Sequence, residues 1–303
     1  MSSAVTAKGL VKAFGATRAL DDLDLDVHTG EVHGFLGPNG AGKTVTIRIL
    51  LGLLRADNGM VSVFDRDPWH DSVEIHRRLA YVPGDTNLWP NLSGGEVIDL
   101  LGSLRGGLDA ARRNEFVDRF DLDPTKKCRT YSKGNRQKVA LVAALASRAD
   151  LLILDEPTSG LDPLMEAVFQ DSVHQARQEG RTILLSSHVL AQVEKVCDRV
   201  TIIRKGRDVQ SGTLDELRTL THTKMTVELA TPLVSTSIDI PGAENLRVDG
   251  SHVHFDIDHG RMNEALVALT KLGVRSLESR PPTLEDLFLR QYHDELHDAG
   301  VEP

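Results

Sequence analysis

Gly37-Pro38-Asn39-Gly40-Ala41-Gly42-Lys43-Thr44 fills every fixed position of the pattern G-x-x-x-x-G-K-[ST]. Its glycines let consecutive backbone N–H groups turn inward on an anion, and the helix that follows adds partial positive charge at its N-terminus. In such a cradle Lys43 reaches the β- and γ-phosphates of a nucleoside triphosphate, and the Thr44 hydroxyl serves as a ligand for Mg²⁺. The flanks fit this reading. Glu31-Val32-His33-Gly34-Phe35-Leu36 reads as a short strand running into the loop, and Val45 to Leu54 as an apolar-rich helix leaving it, with Thr46 in its first turn counted among the nucleotide-binding residues.

The whole chain sets bounds on what this loop serves. Its 303 residues, 40% of them hydrophobic, suffice for one large core and a small second one, so about two domains are expected. Two cysteines, Cys128 and Cys197, lie far apart and give no disulfide framework, which points to a reducing cytosol. A formal charge of −9 argues against a surface that coats nucleic acid. No apolar run approaches the roughly 18 residues a membrane span needs, and Met1-Ser2-Ser3-Ala4-Val5 opens no signal-like apolar block. A protein soluble by itself is expected.

Residues up to about 65 read as strand-rich, with alternation over Leu20 to Val27 and again over Met60 to Phe64. From about 90 to 147 the pattern turns helical: Val97 to Leu104, Ala110 to Phe120 and Arg136 to Ser147 carry apolar residues at helical spacing between the breakers Gly106-Gly107 and Asp123-Pro124. This is an inserted helical subdomain. Leu151 to Leu154 and Thr182 to Leu185 are unbroken apolar runs suited to strands buried on both faces, with a crossover helix over Gln170 to Gln178 between them.

Three strands therefore end in useful chemistry: one in the phosphate loop, one in Asp155-Glu156, one in Ser186-Ser187-His188. Ligands of an open parallel sheet sit beyond the carboxyl ends of its strands, so these residues belong to one crevice. Asp155 is placed to bind Mg²⁺ through water and Glu156 to orient and deprotonate an attacking water, with Lys43 completing the catalytic set. His188 is placed to donate to the γ-phosphate, the blander reading being a satisfied strand-end histidine.

These residues resemble the ABC-type ATPases, specifically the single nucleotide-binding subunits of ABC-2-like exporters. The resemblance covers residues 5 to 220 and rests on Gly37 to Thr44, Leu151 to Pro157, Ser159-Gly160-Leu161-Asp162 as the D-loop, and His188. It implies an α/β P-loop NTPase core with a parallel sheet, and a head-to-tail homodimer or heterodimer sandwiching two ATP molecules. It also implies a separate integral membrane permease, and a place on the cytoplasmic face of the membrane. Two segments compete for the family's signature sequence. Leu92-Ser93-Gly94-Gly95-Glu96 is the more literal match, but Tyr131-Ser132-Lys133-Gly134-Asn135 has the right context, followed at once by a helix and then by the Asp155 strand. Ser132, Gly134 and the D-loop Asp162 are accordingly assigned to nucleotide binding, and Ser93 with Glu96 to a capping box. Lys133 either assists phosphate binding or points to solvent.

Two further positions bear on the resemblance. The family has glutamine after the proline of Tyr81-Val82-Pro83-Gly84-Asp85, where this chain has Gly84; Asp85 either substitutes for it or is an ordinary acidic loop residue. Phe14 stands where family members stack an aromatic ring on adenine, the alternative being a core role.

Past residue 220 the pattern becomes a small α+β appendage over 221–303, following a helix cap at Thr213 to Glu216. It has a strand over Met225 to Leu229, a hairpin around Asp249-Gly250, a helix over Met262 to Leu272 ended by Gly273, and another helix opening at Pro282. It resembles the C-terminal extension of drug- and antibiotic-exporter ATPases, with dimer contact, regulation or passive extension as readings. The pairs His252/His254 and His293/His297 read as surface histidines. The function expected is ATP hydrolysis driving a separate permease, with export of a hydrophobic drug- or antibiotic-like molecule. The alternatives are a soluble ABC ATPase acting on ribosomes or DNA, and a non-hydrolysing regulatory module.

Overall fold

A computed structural model describes residues 2–219, 222–232, 238–280, 283 and 285. The chain divides into two compact units, Met1–Gly212 and Thr213–Pro303, so the division falls ahead of the expected residue 220.

The first unit begins with β1 (Ser3–Phe14), β2 (Thr17–His28), β3 (Val32–Leu36), α1 (Lys43–Leu50), β4 (Asn58–Val63), α2 (Ser72–Arg78) and β5 (Leu79–Val82). The helical insert follows as α3 (Gly94–Ser103), α4 (Ala110–Arg119) and α5 (Lys133–Leu145). The unit closes with β6 (Leu151–Asp155), α6 (Pro163–Gln178), β7 (Thr182–Ser187), α7 (Leu190–Val193), β8 (Arg199–Arg204) and β9 (Arg207–Thr213).

Two sheets result. The antiparallel one has the order β2-β1-β4. In β2 the alternation of Leu23, Leu25 and Val27 with Asp24 and Asp26 buries one face and leaves the other to water. The six-stranded sheet has the order β5-β6-β7-β3-β8-β9, with parallel ladders from β5 through β8. Every residue of β3, β6 and β7 is buried, as their unbroken apolar runs require of strands covered on both faces. Because β6, β7 and β3 are neighbours, their carboxyl ends open side by side. β8, whose Val200-Thr201-Ile202-Ile203 run is buried, and the half-exposed β9 extend the sheet beyond the strands read from sequence.

Of the second unit, α8 (Leu214–Thr219) starts on a reciprocal Thr213/Glu216 capping box. β10 (Thr223–Leu229), β11 (Ala243–Asp249), β12 (His252–Ile257), α9 (Met262–Thr270) and β13 (Val274–Arg280) follow. The strands form an antiparallel sheet in the order β11-β12-β10-β13. Met225, Val227, Val253 and Phe255 on one face pack with Ala265 and Leu269 of α9. His252 and His254 are exposed, on strand positions between those buried ones. β13 is an additional element that the sequence pattern does not announce. The helix expected from Pro282, Thr283 and Glu285 apart, and the His293/His297 pair lie outside the described residues.

Candidate nucleotide site

The phosphate loop has the backbone its glycines predict. A Cβ at Gly37 would stand 2.2 Å from the Ile203 carbonyl oxygen, and Gly42, the N-cap of α1, has φ of 117°, a conformation that side chains disfavour. Lys43 opens α1 with its side chain almost wholly buried; its ammonium donates to the Gly37 carbonyl at 2.6 Å and the Pro38 carbonyl at 3.3 Å, and stands 3.7 Å from Glu156 Oε1. Burial lowers the Lys43 pKa, while the carboxylates of Glu156 and Asp155 oppose that shift and favour the charged form.

The ends of β6 and β7 supply the rest. Asp155, buried to 5% exposure, accepts from the Ser186 hydroxyl on Oδ1 and from the Thr44 hydroxyl at 3.5 Å on Oδ2. A carboxylate and a hydroxyl converging here are hard oxygen donors of the kind Mg²⁺ takes, usually alongside waters and phosphate oxygens. Glu156 has φ of 48°, left-handed for a residue with a side chain. Its N–H donates to the Ser186 carbonyl at 3.1 Å, and its Oε2 lies 2.7 Å from His188 Nδ1. Tyr81, whose hydroxyl is pushed up to about 12 by burial and by the Asp155 charge, stays neutral beside them.

Lys43, Thr44, Asp85, Asp155, Glu156 and His188 line one open crevice of about 500 Å³, together with Pro38, Asn39, Gly40 and Gly42 of the loop. Ala41 is buried, its N–H bonded to the Pro38 carbonyl, and so shapes the loop without lining the crevice. Thr46 departs from its assignment. Its side chain is fully buried, and its hydroxyl and N–H both bond the Gly42 carbonyl at 3.1 and 2.9 Å, because helical geometry turns the position two past Thr44 into the core.

Phe14, at the tip of the β1–β2 hairpin, is 50% exposed with the Lys12 ammonium 5.6 Å over its ring. That exposure removes the core reading. Asp85 is on the crevice wall and accepts a bond from Asn87 at 3.3 Å. Gly84 lies so close to the Asp155–Glu156 turn that a Cβ would be 3.3 Å from the Asp155 carbonyl oxygen and 3.4 Å from Glu156 Cβ.

Ser132, Gly134 and Asp162 line no part of this crevice in their own chain. Ser132 is the N-cap of α5, accepting from the Asn135 N–H, and Asp162 is the N-cap of α6, accepting from the Met165 N–H. Lys133, exposed along its stem, donates to the D-loop Ser159 hydroxyl at 2.9 Å. Ser93 and Glu96 form the reciprocal capping box of α3.

Two residues not assigned from sequence belong to the assembly. Ser186 touches both carboxylate residues, and its only sequence signal is its place in the Ser186-Ser187-His188 strand end. Gln137, 1% exposed in α5, donates to the Pro157 carbonyl at 3.2 Å and accepts from the Thr86 hydroxyl at 2.6 Å. It ties the helical insert to both the 83–86 loop and the turn after Glu156.

The profile of the ABC transporter family matches residues 20–159, and that of the DrrA1-3-like ATP-binding protein C-terminal domain matches residues 212–292. The daunorubicin resistance ATP-binding protein DrrA3 of Streptomyces coeruleorubidus is 40% identical over 71% of this chain and 70% of its own length. The daunorubicin/doxorubicin resistance ATP-binding protein DrrA of Streptomyces peucetius is 34% identical over 94% and 91%. The bacitracin transport ATP-binding protein BcrA of Bacillus licheniformis is 30% identical over 96% and 97%. A solved ATP-binding subunit of an ABC transporter superposes with a TM-score of 0.67 at 31% identity, over 72% of this chain and 93% of that one. With these likenesses and this crevice, the chain belongs to the ATP-hydrolysing, ATP-binding subunits of ABC transporters, in the branch whose ATPase unit is followed by a DrrA-like C-terminal domain.

Proposed function

We propose that the chain energises export of a hydrophobic, drug- or antibiotic-like molecule through a separate integral membrane permease, working at the cytoplasmic face of the membrane. In this reading it forms a head-to-tail pair with a second copy or a related subunit, each phosphate loop facing the other's Ser132–Gly134 turn across ATP. The observation that carries it is the divided site: Ser132 and Gly134 sit at an exposed helix N-terminus suited to an anion, yet away from their own chain's crevice. The names of the DrrA and BcrA relatives support the class of cargo.

In the crevice Glu156 accepts the proton of the attacking water, a contribution of about 10²–10⁴ in rate. His188 holds the Glu156 carboxylate from the other side, and Lys43 compensates phosphate charge. Thr44 and Asp155 would hold Mg²⁺, which when bound neutralises charge on the β- and γ-phosphates. Phe14 is free to stack on the base.

Among the described residues no helix is long and apolar enough to cross a membrane. The route for the cargo is therefore assigned to the permease. Its docking place is the groove of about 280 Å³ where Leu53 and Trp89, both half or more exposed, adjoin Pro83 and Thr86, since that loop also touches the catalytic turn through Gly84. The test is purification of the tagged chain from detergent-solubilised membranes. An integral membrane polypeptide should co-purify, and a hydrophobic drug should raise the ATP turnover of the complex. Recovery with ribosomes or DNA instead would favour the soluble alternative.

A further inference from the structure

We propose that Ser186 is a positioning residue for hydrolysis, its hydroxyl fixing the carboxylate of Asp155 and the backbone of Glu156 together. Ser186 is fully buried near the end of β7, directly paired with Asp155 of β6. Its hydroxyl donates to Asp155 Oδ1 and accepts the Glu156 N–H at 3.3 Å, while its carbonyl accepts the same N–H at 3.1 Å. One hydroxyl proton and one lone pair are thus both engaged; a rotation away from Asp155 would take the hydroxyl proton from a buried carboxylate oxygen, while the Glu156 N–H would keep the Ser186 carbonyl as its acceptor.

Two consequences follow from this geometry. With Oδ1 occupied by Ser186, the Asp155 carboxylate is held in the rotamer that presents Oδ2 toward Thr44. The bond to the Glu156 N–H supports the left-handed turn at φ 48°, a strained conformation that persists only when its surroundings enforce it. From that turn the Glu156 carboxylate reaches both Lys43 and His188. An apolar residue at 186 would release the Asp155 carboxylate and remove one of the two acceptors on the Glu156 N–H, leaving the bond to the residue-186 carbonyl. The sheet itself would keep its ladder, because the backbone pairing of β6 with β7 does not involve the hydroxyl.

The inference rests on the reading that Asp155 and Thr44 hold the metal, so Asp155→Asn is measured in parallel. In the full-length chain with ADP, Mn²⁺ affinity is read by electron paramagnetic resonance, and kcat and KM for ATP by steady-state turnover. Partners that orient a metal ligand typically contribute about 10–100-fold in affinity or activity. Ser186→Ala should weaken Mn²⁺ binding and lower kcat within that range, leaving KM for ATP within about twofold. Ser186→Cys, nearly isosteric but a poor hydrogen-bonding group, should do the same without opening a cavity, which keeps the test valid where the alanine variant folds poorly. Ser186→Thr, which retains the hydroxyl, should restore both. Wild-type Mn²⁺ affinity and kcat in folded Ser186→Cys would overturn the proposal. So would losses that merely track the fall in melting temperature. If Asp155→Asn itself keeps wild-type Mn²⁺ affinity, it is the metal reading that fails; if it loses affinity while Ser186→Cys does not, only Ser186 is excluded.

Discussion

Gly84 controls how closely the loop after β5 approaches Glu156, the proposed catalytic base. A Cβ there would meet the Asp155 carbonyl oxygen at 3.3 Å and Glu156 Cβ at 3.4 Å, separations at which a neighbour must shift by tenths of an ångström. The tighter contact is on the Asp155 carbonyl, one peptide before Glu156, which already holds a left-handed conformation costing about 1–3 kcal/mol, so a push on that peptide reaches the carboxylate. Gly84→Gln, which places the resembled family's residue in this chain, should lower ATP turnover roughly tenfold, because about 1 Å of misplacement can cost on the order of 10²-fold in rate. Metal-free ATP affinity, read by fluorescence titration, should be unchanged. Turnover equal to wild type would mean that the turn yields without moving the base. At this scale the phosphate loop was legible because its fixed glycines answer backbone demands, such as Ile203 crowding Gly37 or the φ of Gly42, and Lys43 and Thr44 are the residue types that phosphate and Mg²⁺ chemistry asks for. Thr46 and Ser186 were not. The facing of Thr46 depends on where α1 begins, and the role of Ser186 on which residue of β6 it pairs with, facts that arise only on folding.

The two Ser-Gly turns that compete for the signature open different helices. Ser93 starts α3 with a reciprocal capping box whose partners all lie in the helical insert. Ser132 starts α5, and Gly134 in its first turn packs so closely on the D-loop that a Cβ would stand 2.4 Å from the Gly160 carbonyl oxygen. Gly134→Asp should therefore abolish turnover, adding a clash with backbone to a carboxylate facing triphosphate. Because Cβ atoms at Gly94 and Gly134 would clash alike at 2.4 Å, the discriminating pair is Ser132→Ala and Ser93→Ala; each should cost about 1 kcal/mol in stability, with turnover lowered only in Ser132→Ala. Loss of turnover in folded Ser93→Ala with wild-type turnover in Ser132→Ala would reverse the assignment. Elements with strong periodicity or unbroken apolar runs, such as α4, α5, β6 and β7, could be read from the chain. β5 at four residues and the edge strands β9 and β13 could not, because a short or half-exposed strand carries its pattern mainly in its partner.

At the scale of the whole molecule, the arrangement predicts an assembly that ATP makes and hydrolysis unmakes. In one chain the crevice has Lys43, Asp155, Glu156 and His188 on its wall, while Ser132 lies elsewhere, so a second protomer must close it if the divided-site reading holds. Glu156→Gln keeps the shape of the side chain and a hydrogen bond to His188, but removes the oxygen that takes the water proton. ATP binding should then survive while the chemical step slows by about 10²–10⁴-fold, and the ATP-closed pair should outlive the measurement. Light scattering of the mutant with Mg²⁺ and ATP should report twice the monomer mass of 33.2 kDa, with Mg²⁺ and ADP returning it to one. Wild type under the same conditions should spend most of its time as a monomer, because each turnover reopens the pair. A mutant that remains monomeric in saturating ATP while hydrolysing at the wild-type rate would remove the base role of Glu156 and the sandwiched pair together. A mutant with abolished hydrolysis that pairs only when the permease is supplied would keep both and would assign the missing closure energy to the membrane partner.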